Sequence, residues 1–290
     1  MKRISYLIVL TVLMISCGRR NEPESKIISV SIAPFKYFVD GISGGNFKVN
    51  IMVPSGANPH IYEPFPDQIN KLRQSVAYIS NGYLGFEMTW LDRFYEMNSQ
   101  MKKLSLGDNI ETIKPEHHHD GDLYENADPH YWVSPLCALK MAESVGEFLA
   151  ELDPQNRKLY EENYEILTEK IMQVDSMAKE LSSPGWNRAF MIYHPNLGYL
   201  ARDYGLEEIS VENEGKEPSP GRLKDLIDRA KQDKLKVILI QREYDTKNAR
   251  AIADETGARV VVIDPLSEDW YAATTGMIRV LKDSFEGSVN

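Results

Sequence analysis

One amphipathic stretch constrains the architecture of this 290-residue chain more than any other feature. From Tyr160 onward, Tyr164, Leu167, Ile171, Val174, Ala178 and Leu181 recur in alternating steps of four and three. Such steps keep apolar side chains on a single helix face. Asp153-Pro154 supplies an N-cap and a first-turn proline, and Ser183-Pro184-Gly185 stops the run. The pattern predicts a helix over 155–182, about 42 Å long at 1.5 Å per residue. A core helix or a coiled-coil segment would show similar spacing. With only about three heptads, and different patterns on either side, it reads better as a brace within one molecule.

Those flanking patterns are alike. Ile27–Ile32, Val49–Val53 and Val76–Ser80 are short β-branched runs, with a weaker one near Lys103–Leu106. A second series comprises Ala189–Tyr193, Glu208–Val211, Val237–Gln241 and Arg259–Ile263. Helical stretches separate them: Asp67–Gln74 and Trp90–Met97 in the first block, then Leu197–Tyr204, Arg222–Gln232 and Lys247–Thr256 in the second. Strand–helix alternation implies parallel sheets covered by helices. The expected fold is therefore α/β, with two lobes, each a mainly parallel four-stranded sheet flanked by helices, joined by the long rigid interlobe helix. The expected boundaries are 27–152 for the N-terminal lobe, 153–184 for the helix and 185–290 for the C-terminal lobe.

Residues 1–16 read as an address. Lys2 and Arg3 precede an apolar run from Ile4 to Ile15, about a dozen residues, too short for a bilayer core of roughly 30 Å. The run ends Leu13-Met14-Ile15-Ser16-Cys17-Gly18, which resembles a bacterial lipobox, with Met14 a looser match than Leu. Cleavage before Cys17 would leave a lipidated cysteine on a polar tether, 17–26, with the folded part outside the cytoplasm, periplasmic or otherwise extracytoplasmic. A plain secretory leader is the alternative. Cys17 and Cys137 are the only cysteines, so neither a disulfide framework nor a cysteine-rich zinc site can form, and Cys137, at a helix start, is expected to pack. A net charge of −10 argues against nucleic acid as partner and is compatible with a cationic ligand.

Six histidines remain to be placed: His60, His117, His118, His119, His130 and His194. His60 lies in Pro54-Ser55-Gly56-Ala57-Asn58-Pro59-His60-Ile61-Tyr62-Glu63-Pro64, a loop leaving a strand end. His194 directly follows Ala189–Tyr193. His130 sits in Asp128-Pro129-His130-Tyr131-Trp132, ahead of a helix beginning near Ser134-Pro135. Ligands of open α/β sheets bind outside the carboxyl ends of strands, in crevices such as one between two lobes. Three neutral imidazoles plus a carboxylate or water complete a zinc tetrahedron. Equally, each histidine could be a packed or capping residue, since spacings of 70 and 64 residues match no local metal motif.

The same stretches, together with His194-Pro195-Asn196-Leu197-Gly198-Tyr199-Leu200, Tyr204-Gly205-Leu206, Glu217-Pro218-Ser219-Pro220 and Asp264-Pro265-Leu266, resemble the cluster 9 solute-binding proteins of zinc and manganese ABC transporters, the zinc-uptake type above all. The resemblance covers about residues 27–285. It implies that His60 and His130 bind metal from the first lobe and His194 from the second, with Asp264, another carboxylate or water in the fourth position. Asp264 could instead cap the turn at Pro265. Asn58 stands where the family often has Asp, which removes a charge beside His60. Glu243 resembles a family glutamate, read here as supporting a histidine from behind or shaping the fold rather than holding metal. His194, where manganese-type members tend to carry Glu, favours zinc over manganese. The tract His117-His118-His119 matches, in short form, an acidic histidine-rich loop of zinc-type members that would capture or sense zinc; otherwise it is a solvated loop.

The function this implies is capture of Zn²⁺ as cargo, by a monomer anchored through Cys17, and delivery to an ABC permease and its ATPase. The long helix should restrict opening to local loop movements, and affinity should fall as pH drops through the ordinary histidine range near 6.5. Three rivals stand beside it. One is a zinc hydrolase with a three-histidine–water centre, for which no G-x-S-x-G, HExxH or P-loop is evident. The others are a manganese- or iron-binding member of the same family and a surface-interaction lipoprotein.

Overall fold

The computed structural model describes residues 26–114, 127–212 and 216–286. The leader 1–16, Cys17 and the tether up to residue 25 lie outside the described residues. So do His117, His118 and His119, and the expectation that this tract captures or senses zinc has no geometry to meet. In chain order the elements are β1 (Lys26–Ile32), α1 (Ala33–Ser43), β2 (Phe47–Val53), α2 (Pro66–Arg73), β3 (Ser75–Ser80), α3 (Gly85–Met97), β4 (Lys102–Ser105) and α4 (Pro135–Leu152). There follow α5 (Arg157–Lys179), β5 (Ala189–Ile192), α6 (Gly198–Tyr204), β6 (Glu207–Ser210), α7 (Pro220–Gln232), β7 (Val237–Gln241), α8 (Lys247–Thr256), β8 (Arg259–Ile263) and α9 (Trp270–Glu286). Among the described residues no helix is long and apolar enough to cross a membrane.

Both sheets are wholly parallel and share one winding: β2-β1-β3-β4 in the first lobe and β6-β5-β7-β8 in the second. Their central strands are nearly continuous apolar runs, Val237–Gln241 being buried throughout, as a sheet covered on both faces requires. The α/β, two-lobed, helix-braced fold read from the sequence is the fold observed. Every expected strand is found, with ends moved by one or two residues.

The brace differs in detail. Its α-helical part is α5 alone, 23 residues or about 34 Å, and single 3₁₀ turns at Pro154–Asn156 and Glu180–Ser182 extend it at both ends. The Asp153 side chain caps no backbone N–H here; its Oδ2 accepts from Asn156 Nδ2 and from the Tyr160 hydroxyl, both at 2.8 Å. Tyr160, Leu167, Ile171, Val174 and Ala178 are buried, so the four-and-three spacing does mark the packed face.

The first lobe, the brace and one face of the second sheet share one core, while the other face of the second sheet has a core of its own around Met191, Ile238 and Ile240. One buried cluster runs from Phe35 and Phe38 through Leu167 and Ile171 to Phe190, Leu200 and Trp270. The final helix, which the sequence grouped with the second lobe, carries Trp270 back against the first: its ring lies 5.6 Å from Phe38, and its Nε1 donates to Trp132 O at 2.6 Å. Trp132 Nε1 in turn donates to Pro265 O at 2.9 Å. Shared apolar burial and reciprocal tryptophan bonds join the lobes into one packed unit.

Candidate metal centre

The loops that leave β2 and β5 open toward the seam between the lobes. His60 lies on the first and His194 on the second; His130 enters from the 3₁₀ turn Tyr131–Val133 that precedes α4. Their ligand-capable nitrogens all fall within 4.8 Å of one another. Ring centroids are 5.7 Å apart for His60–His130, 5.3 Å for His60–His194 and 5.1 Å for His130–His194. The closest approach is Nε2 to Nε2, 3.4 Å, between His130 and His194. Two ligands about 2.05 Å from a tetrahedral ion stand about 3.3–3.4 Å apart, so this pair already spans one edge of such a site. The tract His117, His118 and His119 lies outside the described residues.

Carboxylates behind the rings decide which nitrogens are free. Asp128 Oδ1 accepts from His130 Nδ1 at 2.7 Å and from its backbone N–H at 2.8 Å. Glu212 Oε1 accepts from His194 Nδ1. Holding each proton on Nδ1 leaves a lone pair on each Nε2, turned into the shared space. Burial works against the Asp128 charge, yet the His130 ring and its two hydrogen bonds hold that carboxyl below the usual range. His194 is further fixed by Tyr244, stacked at 5.1 Å, and by Gln241, whose Nε2 donates to His194 O at 2.6 Å.

His60 is held differently. Its backbone N–H donates to Asn58 Oδ1 at 2.9 Å, and its ring Nε2 is buried with no hydrogen-bond partner. The loop rests on the start of α3: Phe86 N–H donates to Pro59 O at 3.2 Å, and a Cβ at Gly85 would lie 3.1 Å from His60 O. Asn58, which in sequence looked like a lost charge, thus acts as a turn-forming acceptor. Burial, followed by the facing His130 and His194 rings, pushes the His60 imidazole down to about 3. Burial also lowers His194, with Glu212 opposing.

Asp264 is not part of the close trio. Its Oδ2 accepts from Ser55 Oγ at 2.6 Å and pairs with Arg242 Nη1 at 3.3 Å, so it ties the His60 loop to the second lobe. Its Oδ1 is buried without a partner. Glu243, raised chiefly by burial, makes no hydrogen bond to any of the three histidines among the described residues, and its Oε2 is also unpartnered. The carboxylates that orient the rings are Asp128 and Glu212. Asp128 was legible as the acid two residues before His130. Glu212, 18 residues beyond His194, has no local signal and becomes visible only through the β5–β6 pairing.

Two parallel α/β lobes braced by one helix gather histidines from both at their seam, in an arrangement that could hold a metal ion. The chain belongs to the family described as zinc-uptake complex component A, periplasmic, whose model matches residues 28–283. It is 25% identical over 281 residues to the zinc-binding lipoprotein AdcA of Streptococcus pneumoniae, a match covering 92% of this chain and 56% of AdcA, so the chain spans little more than half of that relative. It is 26% identical over 267 residues to the high-affinity zinc uptake system protein ZnuA of Bacillus subtilis, covering 87% of this chain and 83% of that one. Among solved structures, a ZnuA crystal structure superposes with a TM-score of 0.83 at 35% identity, covering 90% of this chain and 99% of the other. A Mn-bound periplasmic metal-binding protein from candidatus liberibacter asiaticus shares the fold, with a TM-score of 0.74 at 23% identity.

Proposed function

We propose that this protein captures a divalent transition metal, zinc before manganese or iron, outside the cytoplasm and hands it to an ABC permease. In this reading His60, His130 and His194 supply three nitrogens, and Asp264 or a water supplies the fourth position. The observation that carries it is the 3.4 Å Nε2–Nε2 approach of His130 and His194, with both Nδ1 atoms held by carboxylates. Two lone pairs aimed at one point repel unless a proton or a cation lies between them. Three imidazoles without a carboxylate inside the trio suit borderline-soft Zn²⁺ better than Mn²⁺, which prefers oxygen. The names of the relatives support the cargo, and the family's description as part of an uptake complex supports a permease partner over a catalytic role.

Capture needs no bond chemistry. The ion exchanges waters for nitrogens that the fold has already desolvated and oriented, so little reorganisation opposes binding. A nearly preset pair and one less constrained histidine allow entry by movement of the His60 loop while α5 and the tryptophan pair hold the lobes. Lipidation at Cys17, action as a monomer and zinc capture by His117, His118 and His119 complete the reading and rest on sequence alone.

Metal analysis of the purified chain tests it. One zinc per chain is expected, with loss of zinc in His60→Ala, His130→Ala and His194→Ala. A folded wild-type chain that takes up no zinc rejects the reading, and full zinc occupancy in all three variants rejects these residues as the ligands.

A further inference from the structure

Tyr199 stands five residues after His194, in the first turn of α6, yet both hydrogen bonds of its hydroxyl go to the first lobe. It donates to Asp128 O at 2.6 Å and accepts from Ile113 N–H at 3.2 Å. Those two backbone segments are themselves joined, Asp128 N–H donating to Ile113 O at 2.8 Å. The hydroxyl therefore closes a ring of bonds around Asp128, the residue that accepts twice from His130.

The approach is built for closeness. A Cβ on Gly198 would lie 3.2 Å from Asp128 Oδ2 and 3.4 Å from Glu208 Oε2, tighter than ordinary contact. Glu208 Oε1 accepts the N–H groups of Asn196 at 3.1 Å and Leu197 at 2.9 Å, so the whole turn from His194 to Tyr199 is pinned. Packing alone would require only the Tyr199 ring, which is fully buried beside Tyr131. A buried hydroxyl serving a backbone acceptor and a backbone donor across the seam specifies position as well.

We propose that the Tyr199 hydroxyl is a positioning group for metal capture: it clamps Asp128, thereby sets the plane and tautomer of the His130 ring, and makes His130 and His194 a preformed two-nitrogen half-site spanning both lobes. The inference rests on the proposal that these histidines hold the metal. One six-residue turn then supplies one ligand directly and governs a second through a single intermediary, leaving His60 to complete the site.

The test compares the full chain, metal-free, with Tyr199→Phe and Tyr204→Phe. Tyr204 is the control: its buried hydroxyl donates to Asp175 Oδ1 at 2.8 Å, joining α6 to α5 without touching Asp128. Zinc affinity is measured by competition with a chromophoric chelator, and ring tautomers by long-range proton–nitrogen spectra of the histidines. Tyr199→Phe is expected to weaken zinc binding about ten-fold and to turn the His130 ring from a single Nδ1–H form into a mixture, with His194 unchanged. Tyr204→Phe is expected to lower the melting temperature and to move neither readout. Wild-type affinity or unaltered His130 signals in Tyr199→Phe, or an equal loss of affinity in Tyr204→Phe, overturns the proposal. Should Tyr199→Phe fail to fold, proton exchange in the unaltered chain decides: a slowly exchanging Tyr199 hydroxyl supports the clamp, and a solvent-fast one overturns it. A wild-type chain that binds no zinc rejects the metal reading itself, whereas wild-type binding with an unaffected Tyr199→Phe rejects only the positioning role.

Discussion

His130 and His194, 64 residues apart in sequence and on opposite lobes, bring their Nε2 atoms within 3.4 Å of each other. Neither ring could hold that position alone. Asp128 and Glu212 accept hydrogen bonds from the two Nδ1–H groups, and the shared apolar cluster keeps the lobes from drifting apart.

Removing the charge behind either ring should weaken zinc capture without unfolding the chain. Asp128→Asn and Glu212→Gln keep the side-chain shape but replace a charged, acceptor-only group by a neutral amide that can also turn its NH₂ toward the ring, so the tautomer is no longer fixed. A loss of 10- to 100-fold in zinc affinity is expected for each, at near wild-type melting temperature. Chelator competition and thermal melting measure the two quantities separately; unchanged affinity in both variants would count against the orienting role.

Zinc itself should stabilise the chain. At 100 times its dissociation constant the ion adds about 2.7 kcal/mol, which for a domain of this size raises the melting temperature by roughly 5–10 °C. Manganese at the same concentration should produce a smaller shift and should not displace bound zinc. A melting curve indifferent to zinc refutes site occupancy.

Acid should destabilise the metal-free protein. The His60 imidazole is depressed from its ordinary 6.5 to about 3 by burial and the two facing rings, and His194 is lowered by burial as well. Between those values the unfolded chain binds protons that the folded chain refuses. Stability is therefore full above about pH 6.5 and declines as pH falls from there toward 3, by up to about 1.4 kcal/mol per pH unit for His60, with His194 acting in the same direction. For the same reason proton competition with zinc at His60 and His194 should set in below the ordinary histidine range, lower than the sequence alone suggests. Melting curves and zinc titrations at pH 7.5, 6 and 5 check both points.

Gly85→Ala probes the third ligand. The new methyl carbon would sit 3.1 Å from His60 O, and backbone cannot yield as a flexible side chain can. A shift of a few tenths of an ångström in the His60 loop should weaken zinc binding several-fold while the His130 and His194 ring signals stay in place. Affinity equal to wild type would show that the loop absorbs the displacement.

Ile171→Ala tests the brace. This side chain is fully buried on α5, and its truncation should cost about 2–5 kcal/mol of stability. Zinc affinity of the folded fraction should remain near wild type, because α5 carries no group that touches the histidines. Denaturant unfolding with and without zinc separates the two effects.

Much of the fold was legible because its signals are local. The eight strand runs and the four-and-three stripe of α5 all reappear, the strand ends within a residue or two, although β4 and most of β8 stay partly exposed. The C-terminal helix α9 was readable in principle from Trp270, Thr274, Ile278, Leu281 and Phe285, yet its destination was not. Nothing in that stripe says that Trp270 crosses to Phe38 and Trp132 rather than closing the second lobe.

The site divides in the same way. That His60, His130 and His194 stand at strand and helix junctions follows from chain order, because turn residues and periodicity act over a few positions. Which nitrogens face one another, that Glu212 rather than Glu243 supports His194, and that Asp264 bonds Ser55 were decided only when the β5–β6 pairing and the tryptophan seam brought distant segments together. Chain order determined which chemical groups could reach the seam. Packing determined their partners, since a hydrogen bond acts over about 3 Å and carries no trace of the residues between its ends.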